Sequence, residues 1–205
     1  MVQSKLLDIA VREFGSKGLD GASTRGIAAA AGTAMSSITY HYGGKDGLYL
    51  AAADHIAARM DDDLSAALAC EPCPTDAISA RICLHELLGN FFGKMFADHE
   101  TESALFIMRE QMEPTSAFDR LYDGPMGRMT TQLVDLVALC TGAPPAKAKI
   151  TAMLLFGQAI VWRAARALAS RVVGDAGAAN TIHEQIVRNT DAILDRLIAD
   201  HQEPL

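Results

Sequence analysis

The sequence contains no unbroken apolar run long enough to cross a bilayer, which argues against a membrane-spanning helix. It has few β-branched runs, no convincing period-two alternation, no internal repeat and no low-complexity tract. Strands are therefore not expected, and the abundance of Ala and Leu leans the chain to helix. The short motifs of common catalysis are missing too. There is no Ser-centred elbow and no HExxH, and Gly43-Gly44-Lys45 has no upstream glycine at phosphate-loop spacing. An enzyme built on this chain would have to use unpatterned residues, so the sequence predicts no enzyme and no cofactor. The segment Met1 to Phe14 carries Lys5, Asp8, Arg12 and Glu13 where a secretory signal needs an unbroken apolar stretch. The expectation is a cytoplasmic protein whose four cysteines are thiols.

What is present suits one medium domain, or a small module joined to a larger one: 205 residues, of which 50% are hydrophobic. The net charge of -7 argues against bulk nucleic-acid binding. It is unevenly spread. Residues 1–46 hold five Lys/Arg against four Asp/Glu, a net +1, while the remainder holds 13 against 21, a net -8. Such asymmetry implies two parts that meet different partners.

Leu6, Leu7, Ile9, Ala10 and Phe14 recur at three- and four-residue intervals, the period of a helix with one buried face. Gly15 and Gly18 end it, and Gly18 to Gly21 is a turn. Ser23 sits where an N-cap belongs. A short second helix follows from Thr24 to Ala31, with Gly32 as its stop. A third fits Ala34 to Tyr42, closed by Gly43-Gly44. Lys45 opens a long fourth helix reaching about Ala69, and "CEPCPTD" breaks it. A fifth runs near Asp76 to Ala97 and a sixth near Glu100 to Met112. A seventh, from Thr115 to Leu139, meets an interruption at Asp123-Gly124-Pro125. An eighth spans about Lys147 to Val172, and a ninth about Ala179 to His201. The expected fold is all-α, about nine helices, with three short ones ahead of a larger helical body. The expected boundary places a helix-turn-helix domain at residues 1–46 and a ligand-binding and dimerisation domain at 47–205.

Two short helices joined by a tight glycine turn form a helix-turn-helix, whose second helix can enter a major groove. Such a helix must present short polar side chains, because long ones would hold it off the bases. It also needs an apolar pin. Ile38 suits the pin, and Ala34, Met35, Ser36, Ser37 and Thr39 suit the groove face. Tyr40, His41 and Lys45 follow at the far end, where phosphate contacts would position the unit. Helix-turn-helix shapes also occur inside helical proteins that never meet DNA.

The ordered set "LLDIAVREFGSKGLDGASTRGIAAAAGTAMSSITYHYGGKDGLY", within residues 3–50, resembles the N-terminal domain of the TetR family of bacterial transcription regulators. The features that agree are Phe14-Gly15-x-x-Gly18, Ser-Thr-Arg at a helix start, Ile27-Ala28, Ala31-Gly32 and "YHYGGK". The resemblance implies that Ser23, Thr24 and Arg25 touch phosphates. It implies that Met35, Ser36, Ser37 and Thr39 face the groove, and that Tyr40, His41 and Lys45 hold the backbone. Two positions depart from the family: Thr39 stands where Tyr is frequent, and Gly26 where an acid is frequent. The stretch "FIMREQMEPTSAFDRLYDGPM", Phe106 to Met126, is similar to the CecR-type C-terminal domain of one TetR subgroup. That similarity implies a helical inducer-binding and dimerising body.

In this second half, Leu84, Leu87, Leu88, Phe91, Phe92, Met95 and Phe96 form a wide apolar stripe. Phe106, Met108 and Met112 add to it, with Met153, Phe156 and Trp162 from a later helix. Met and aromatic side chains adapt to irregular apolar guests, although stripes at helical spacing are usually core. The candidate ligand contacts are Leu88, Phe92, Met95, Phe96, Phe106, Arg109, Met112, Phe156 and Trp162, with Gln111 a further polar candidate. A solvated face or a structural salt bridge is the competing reading for Arg109-Glu110-Gln111. Cys70, Cys73, Cys83 and His85 raise a metal or redox site. Against it, Cys83 and His85 diverge by about 200° on a helix, and Pro72 and Pro74 explain the loop without a metal. Ile150, Leu154, Ala159, Ile160 and Val161, then Ile182, Ile186, Ile193, Leu194 and Leu197, mark the eighth and ninth helices, which the family uses as a two-fold interface.

The sequence thus predicts a homodimeric TetR-type regulator, a repressor released from double-stranded operator DNA by a small hydrophobic inducer. The alternatives are a metal- or redox-responsive DNA-binding regulator using Cys70 and Cys73, and an activator or dimeric adaptor that has lost DNA binding.

Overall fold

A computed structural model describes residues 2–68, 73–96, 101–174 and 178–202. Its helices are α1 (Val2–Gly21), α2 (Thr24–Ala31), α3 (Met35–Tyr42), α4 (Lys45–Leu68), α5 (Ala77–Phe96), α6 (Thr101–Met112), α7 (Ser116–Leu121), α8 (Gly127–Thr141), α9 (Pro145–Ala164), α10 (Arg166–Val173) and α11 (Ala178–Gln202). No strand occurs among the described residues. The chain packs as two compact units, residues 1–64 with 98–128, and 65–97 with 129–205.

The first unit gathers α1 to α4 with α6 and α7 around one apolar core. Phe14, Ile27, Ile38, Leu48, Ile56, Phe106 and Leu121 are all fully buried in it. The Tyr49 ring is the hub. Phe14 meets its edge at 4.9 Å between centroids, and Phe106 stacks on it at 4.6 Å. Gly15 lets α6 approach α1 closely: a Cβ there would stand 2.6 Å from the Glu102 carbonyl oxygen. The second unit packs α5 against α9 and α11. Phe92, Ala159, Ile182 and Ile186 form one buried cluster, with Phe91, Phe96 and Trp162 packed around it.

The start of α5 is set by Asp76, whose carboxylate accepts from the amides of Ile78 and Ser79 at 3.0 and 2.8 Å. These bonds to the charged form hold the Asp76 carboxyl below its ordinary range, Ser79 contributing most.

Several helix ends differ from expectation. The first helix runs on to Gly21, bent at Gly18 (φ 74°, ψ 175°) rather than stopped there. The expected interruption near Asp123-Gly124-Pro125 is a five-residue π segment, Tyr122–Met126, between α7 and α8. Pro125 removes an amide there, and Gly124 leaves helical geometry. The expected eighth helix is two helices, α9 and α10, bent by 85° across Ala165. That bend follows no Pro or Gly in "WRAARALAS", so periodicity and breaker residues cannot reveal it.

Candidate nucleic-acid interface

The helix-turn-helix is built by local rules. The Ser23 hydroxyl accepts from the Gly26 amide at 3.3 Å and caps α2. Gly32 ends α2 in the left-handed region (φ 70°), where a side chain would be strained. The amides of Gly32 and Thr33 close on Ala29 and Ala28 carbonyls at 3.2 and 3.0 Å, so the turn into α3 spans only Gly32 to Ala34. Gly43 (φ 75°) ends α3 in the same way, and its amide reaches the Thr39 carbonyl at 3.0 Å.

Only Ile38 of α3 is buried, at 1% exposure, and it joins the core of Ile27 and Phe14. Met35, Ser36, Thr39, Tyr40 and His41 are exposed, Tyr40 at 85%, while Ser37 is half-buried. The result is an eight-residue helix, pinned by one side chain, that presents two hydroxyls, a thioether and an aromatic pair. Tyr40 and His41 meet edge-on at 5.0 Å. Such a face is narrow enough for the major groove, and its hydroxyls can donate to or accept from base edges. At the start of α2, Thr24 is half-buried and Arg25 is exposed.

Lys45 behaves otherwise than a free phosphate contact. It is half-buried, and its ammonium donates to the Asp20 carbonyl at 2.9 Å. It therefore ties the start of α4 to the end of α1, with two further donors left for a phosphate.

Sequence reasoning missed a polar network beneath this head. Glu110 is 1% exposed, yet its carboxylate is fully engaged. Oε1 accepts from the Tyr49 hydroxyl at 2.6 Å. Oε2 accepts from the Thr115 amide at 3.0 Å, and the Thr115 hydroxyl lies 3.1 and 3.0 Å from the two oxygens. Thr115 in turn caps α7 through the Ala117 amide at 3.1 Å. Burial, and next the Glu110 carboxylate, push the Tyr49 phenol well above the usual tyrosine range. Glu110 is thus neither a solvated face nor half of a salt bridge. Its neighbour Arg109 donates to the carbonyls of Gly15 and Ser16 at 2.8 and 3.0 Å. The Gly18 bend lies just beyond those carbonyls, so Arg109 fastens α6 to α1 beside the bend.

These placements change part of the expected ligand constellation. Phe106 is core of the first unit, stacked on Tyr49, and Arg109 is bound to the α1 backbone. Met112 and Gln111 are exposed. Leu88, Phe92, Met95, Phe96, Phe156 and Trp162 belong to the second unit. There Phe91 stacks on Phe156 at 4.6 Å, Phe92 lies 4.6 Å from Phe96 and 5.3 Å from His183, and Phe96 lies 6.1 Å from Trp162. An aromatic wall is therefore assembled from α5, α9 and α11. Adjacent to α5 and α11 is a cleft of about 490 Å³ lined by Ile78, Arg81, Ile82, His85, Cys140, Asp191 and Ile198, none of them expected as ligand contacts.

The cysteines also depart from expectation. Cys83 is disulfide-bonded, whereas Cys73, exposed, and Cys140, buried, are free. Redox compartment argues about average thiol poise and cannot say which sulfurs lie at bonding distance. Burial pushes the Cys140 thiol up to about 11. Cys70 lies outside the described residues. His85 bonds to Asp191 at 2.9 Å, and no group of three or more His, Cys, Asp and Glu is poised for a metal ion among the described residues.

An all-helical chain with a pinned, polar recognition helix at its N-terminal end defines a helix-turn-helix protein. Comparison with known proteins gives the family. Residues 6–52 match the bacterial regulatory proteins of the tetR family, and residues 80–199 match the C-terminal domain of the HTH-type transcriptional dual regulator CecR. CecR of Shigella flexneri is 30% identical over 165 residues, 78% of this chain and 72% of that protein. The HTH-type transcriptional regulator BetI of Brucella anthropi is 30% identical over 120 residues, 58% of this chain and 59% of its own. A TetR-family transcriptional regulator from Streptomyces coelicolor superposes with a TM-score of 0.69 at 14% identity, covering 96% of each chain. A TetR-like transcriptional regulator from Rhodococcus sp. RHA1 reaches 0.62 at 22% identity, covering 97% of this chain and 96% of its own. The chain belongs to the TetR family of transcriptional regulators, with a CecR-type C-terminal domain.

Proposed function

We propose that the protein is a cytoplasmic, homodimeric repressor that leaves its operator when a small hydrophobic ligand occupies the helical body. The observation that carries this reading is α3: one buried pin, Ile38, and an otherwise outward face of Met35, Ser36, Thr39 and Tyr40. Ser23, Thr24, Arg25, Ser37, His41 and Lys45 are the accompanying contacts, Lys45 with the donors that Asp20 leaves free. The functional boundary at residue 46 separates this head from the ligand-binding and dimerising part, residues 47–205.

The ligand site of this reading is the aromatic wall of Phe92, Phe96, Phe156 and Trp162, with Leu88 and Met95 on the same helix as the two Phe. Its chemistry suits a flat apolar guest. A ligand weakens operator binding only by preferring the state that does not bind DNA, and operator then weakens the ligand by the same factor.

Dimerisation in this reading uses the eighth and ninth helices of the sequence, whose cores are α9 and α11. Ile150, Met153, Leu154 and Val161 recur on one face of α9 and are all exposed. Gly157 lies on the same face with open space above it, which lets a second helix approach. The ninth helix of the sequence, α11, is the second interface helix of this reading; Ile193 is half-buried there. Ile182, Ile186, Leu194 and Leu197 of α11 are buried.

The test is a band-shift assay on DNA flanking the protein's own gene. Tyr40→Ala and Lys45→Ala should each weaken binding while the dimer persists, and Lys45→Ala should lower the salt slope by about one. Full-strength binding by both variants would refute the assignment. Repeating the assay with a panel of aromatic and aliphatic compounds tests the ligand class.

A further inference from the structure

We propose that the cleft between the start of α5 and the second half of α11 is a binding site for an amphipathic amine, an ammonium group carried on an apolar tail. The site is separate from the aromatic wall, and its guest is charged where that one is flat and apolar. Three observations carry it.

First, the cleft has the size of a ligand site and walls that the core leaves bare. It encloses about 490 Å³, within the range of small-molecule sites. Ile78 and Ile82 stand one turn apart on α5 and are 76% and 56% exposed, while Ile198 of α11 is half-buried. Isoleucine is a poorer helix former than Lys or Glu, so neither propensity nor solubility calls for two bare isoleucines on a helix surface. An alkyl chain lying in the cleft would cover them.

Second, the polar groups of the cleft are already held in place. Arg81 donates to Asp191 at 3.2 Å and to Asp195 at 2.6 Å, two carboxylates one turn apart on α11. His85, one turn beyond Arg81, meets the same Oδ1 of Asp191 at 2.9 Å. The four side chains thus fix one another across α5 and α11. The other oxygen of Asp191, Oδ2, has no hydrogen bond among the described residues. A fixed acceptor beside a bare apolar wall is the pairing that a primary ammonium with a tail satisfies.

Third, charge selects a cation. One guanidinium faces two carboxylates, so with His85 neutral the cluster is left negative. Residues 47–205 carry a net charge of -8. The field of that charge draws cations toward this part of the chain and disfavours carboxylates and phosphates. The ammonium donates to Oδ2 of Asp191, and the tail runs along Ile78, Ile82 and Ile198. Placed so, the ligand joins α5 to α11.

The experiment is isothermal titration calorimetry of the full-length protein with octylamine, octanol and octanoate at about pH 7.5, where an alkylamine is protonated as a lysine side chain is. The expected result is one octylamine per chain, with octanol and octanoate weaker by roughly tenfold or more. Ile78→Ser and Asp191→Asn should each weaken octylamine roughly tenfold, the first by removing apolar cover and the second by removing charge. Octanol or octanoate binding as tightly as octylamine overturns the cationic assignment. A flat octylamine titration overturns the site and leaves Arg81 and Asp191 as a structural staple. Wild-type affinity in Ile78→Ser also overturns it, since an amine held elsewhere, the aromatic wall included, does not feel that residue. Should Asp191→Asn fail to fold, Ile78→Ser decides alone, because a side chain 76% exposed can be replaced without loss of core. Operator binding is not read in these titrations, so the repressor reading stands or falls separately.

Discussion

At the scale of single residues, α3 separates stability from recognition. Ile38 is buried and Tyr40 is bare, though they stand two positions apart. Ile38→Ala should cost about 2–5 kcal/mol of stability by leaving a cavity. Tyr40→Ala should change it by less than about 0.5 kcal/mol; denaturant melts of the two variants check both. Tyr42 offers the opposite case, because its hydroxyl is buried without a hydrogen-bond partner among the described residues. Replacing it by Phe removes an unsatisfied group, so Tyr42→Phe should be neutral or stabilising by up to about 1 kcal/mol. The same melts check it, and a clear loss of stability would mean that the hydroxyl has a partner. Ile38 was legible in the sequence because a pin on a short polar helix is a local pattern. Glu110 was not. Adjacent residues on a helix point different ways, and nothing in "MREQM" says that one of them meets Tyr49, 61 positions earlier. That pair also sets a pH limit. The Tyr49 phenol is raised in the folded protein, so its contribution to stability is complete below the ordinary tyrosine value. It is lost as pH rises through about 10 and beyond, where the unfolded chain ionises first. Tyr49→Phe should flatten the fall in stability above about pH 10, measured by denaturant titration across that window.

At the scale of elements, glycine and proline made most boundaries readable. Gly32 and Gly43 end α2 and α3, and Gly124-Pro125 marks the π segment before α8. The α9–α10 bend was not readable, because it lies among helix formers with no Pro or Gly to mark it. Nor was the closeness of α1 and α6, although Gly15 permits it. Read locally, Gly15 is a helix stop; in the fold it sits inside α1 and admits the α6 backbone. Gly15→Ala should therefore destabilise the first unit by about 1–3 kcal/mol, since backbone atoms must move apart. Helix propensity alone predicts the opposite sign, as Ala is favoured over Gly by about 1 kcal/mol. A thermal melt with raised stability would show that α1 and α6 do not approach as described. The consequence for function is that α6 belongs mechanically with the DNA-reading helices. Arg109 holds α1 and Glu110 holds α4 and α7, so a displacement of α6 reaches the head through bonded groups.

At the scale of the whole molecule, one recognition helix is too short to specify an operator. An eight-residue helix spans about 12 Å, enough for a few base pairs in one groove. Two heads held by a dimer read two half-sites on the same face of the duplex, one helical turn or a multiple apart. The spacing between heads then becomes a specificity element in its own right, and in the function proposed above it is the quantity on which a ligand acts. This makes a prediction that neither head could satisfy alone. Inserting five base pairs between the half-sites of a selected operator rotates one half-site to the far side of the duplex, about half a turn. Affinity should fall toward that of a single head, by roughly the 10³-fold or more that separates specific from non-specific binding. Mutating one half-site in the inserted operator should then cost little further, because only one head is engaged. Fluorescence anisotropy at fixed salt measures both quantities. Equal affinity for the native and inserted operators would mean that the two heads act independently, and a ligand that alters their spacing would then have no lever on transcription.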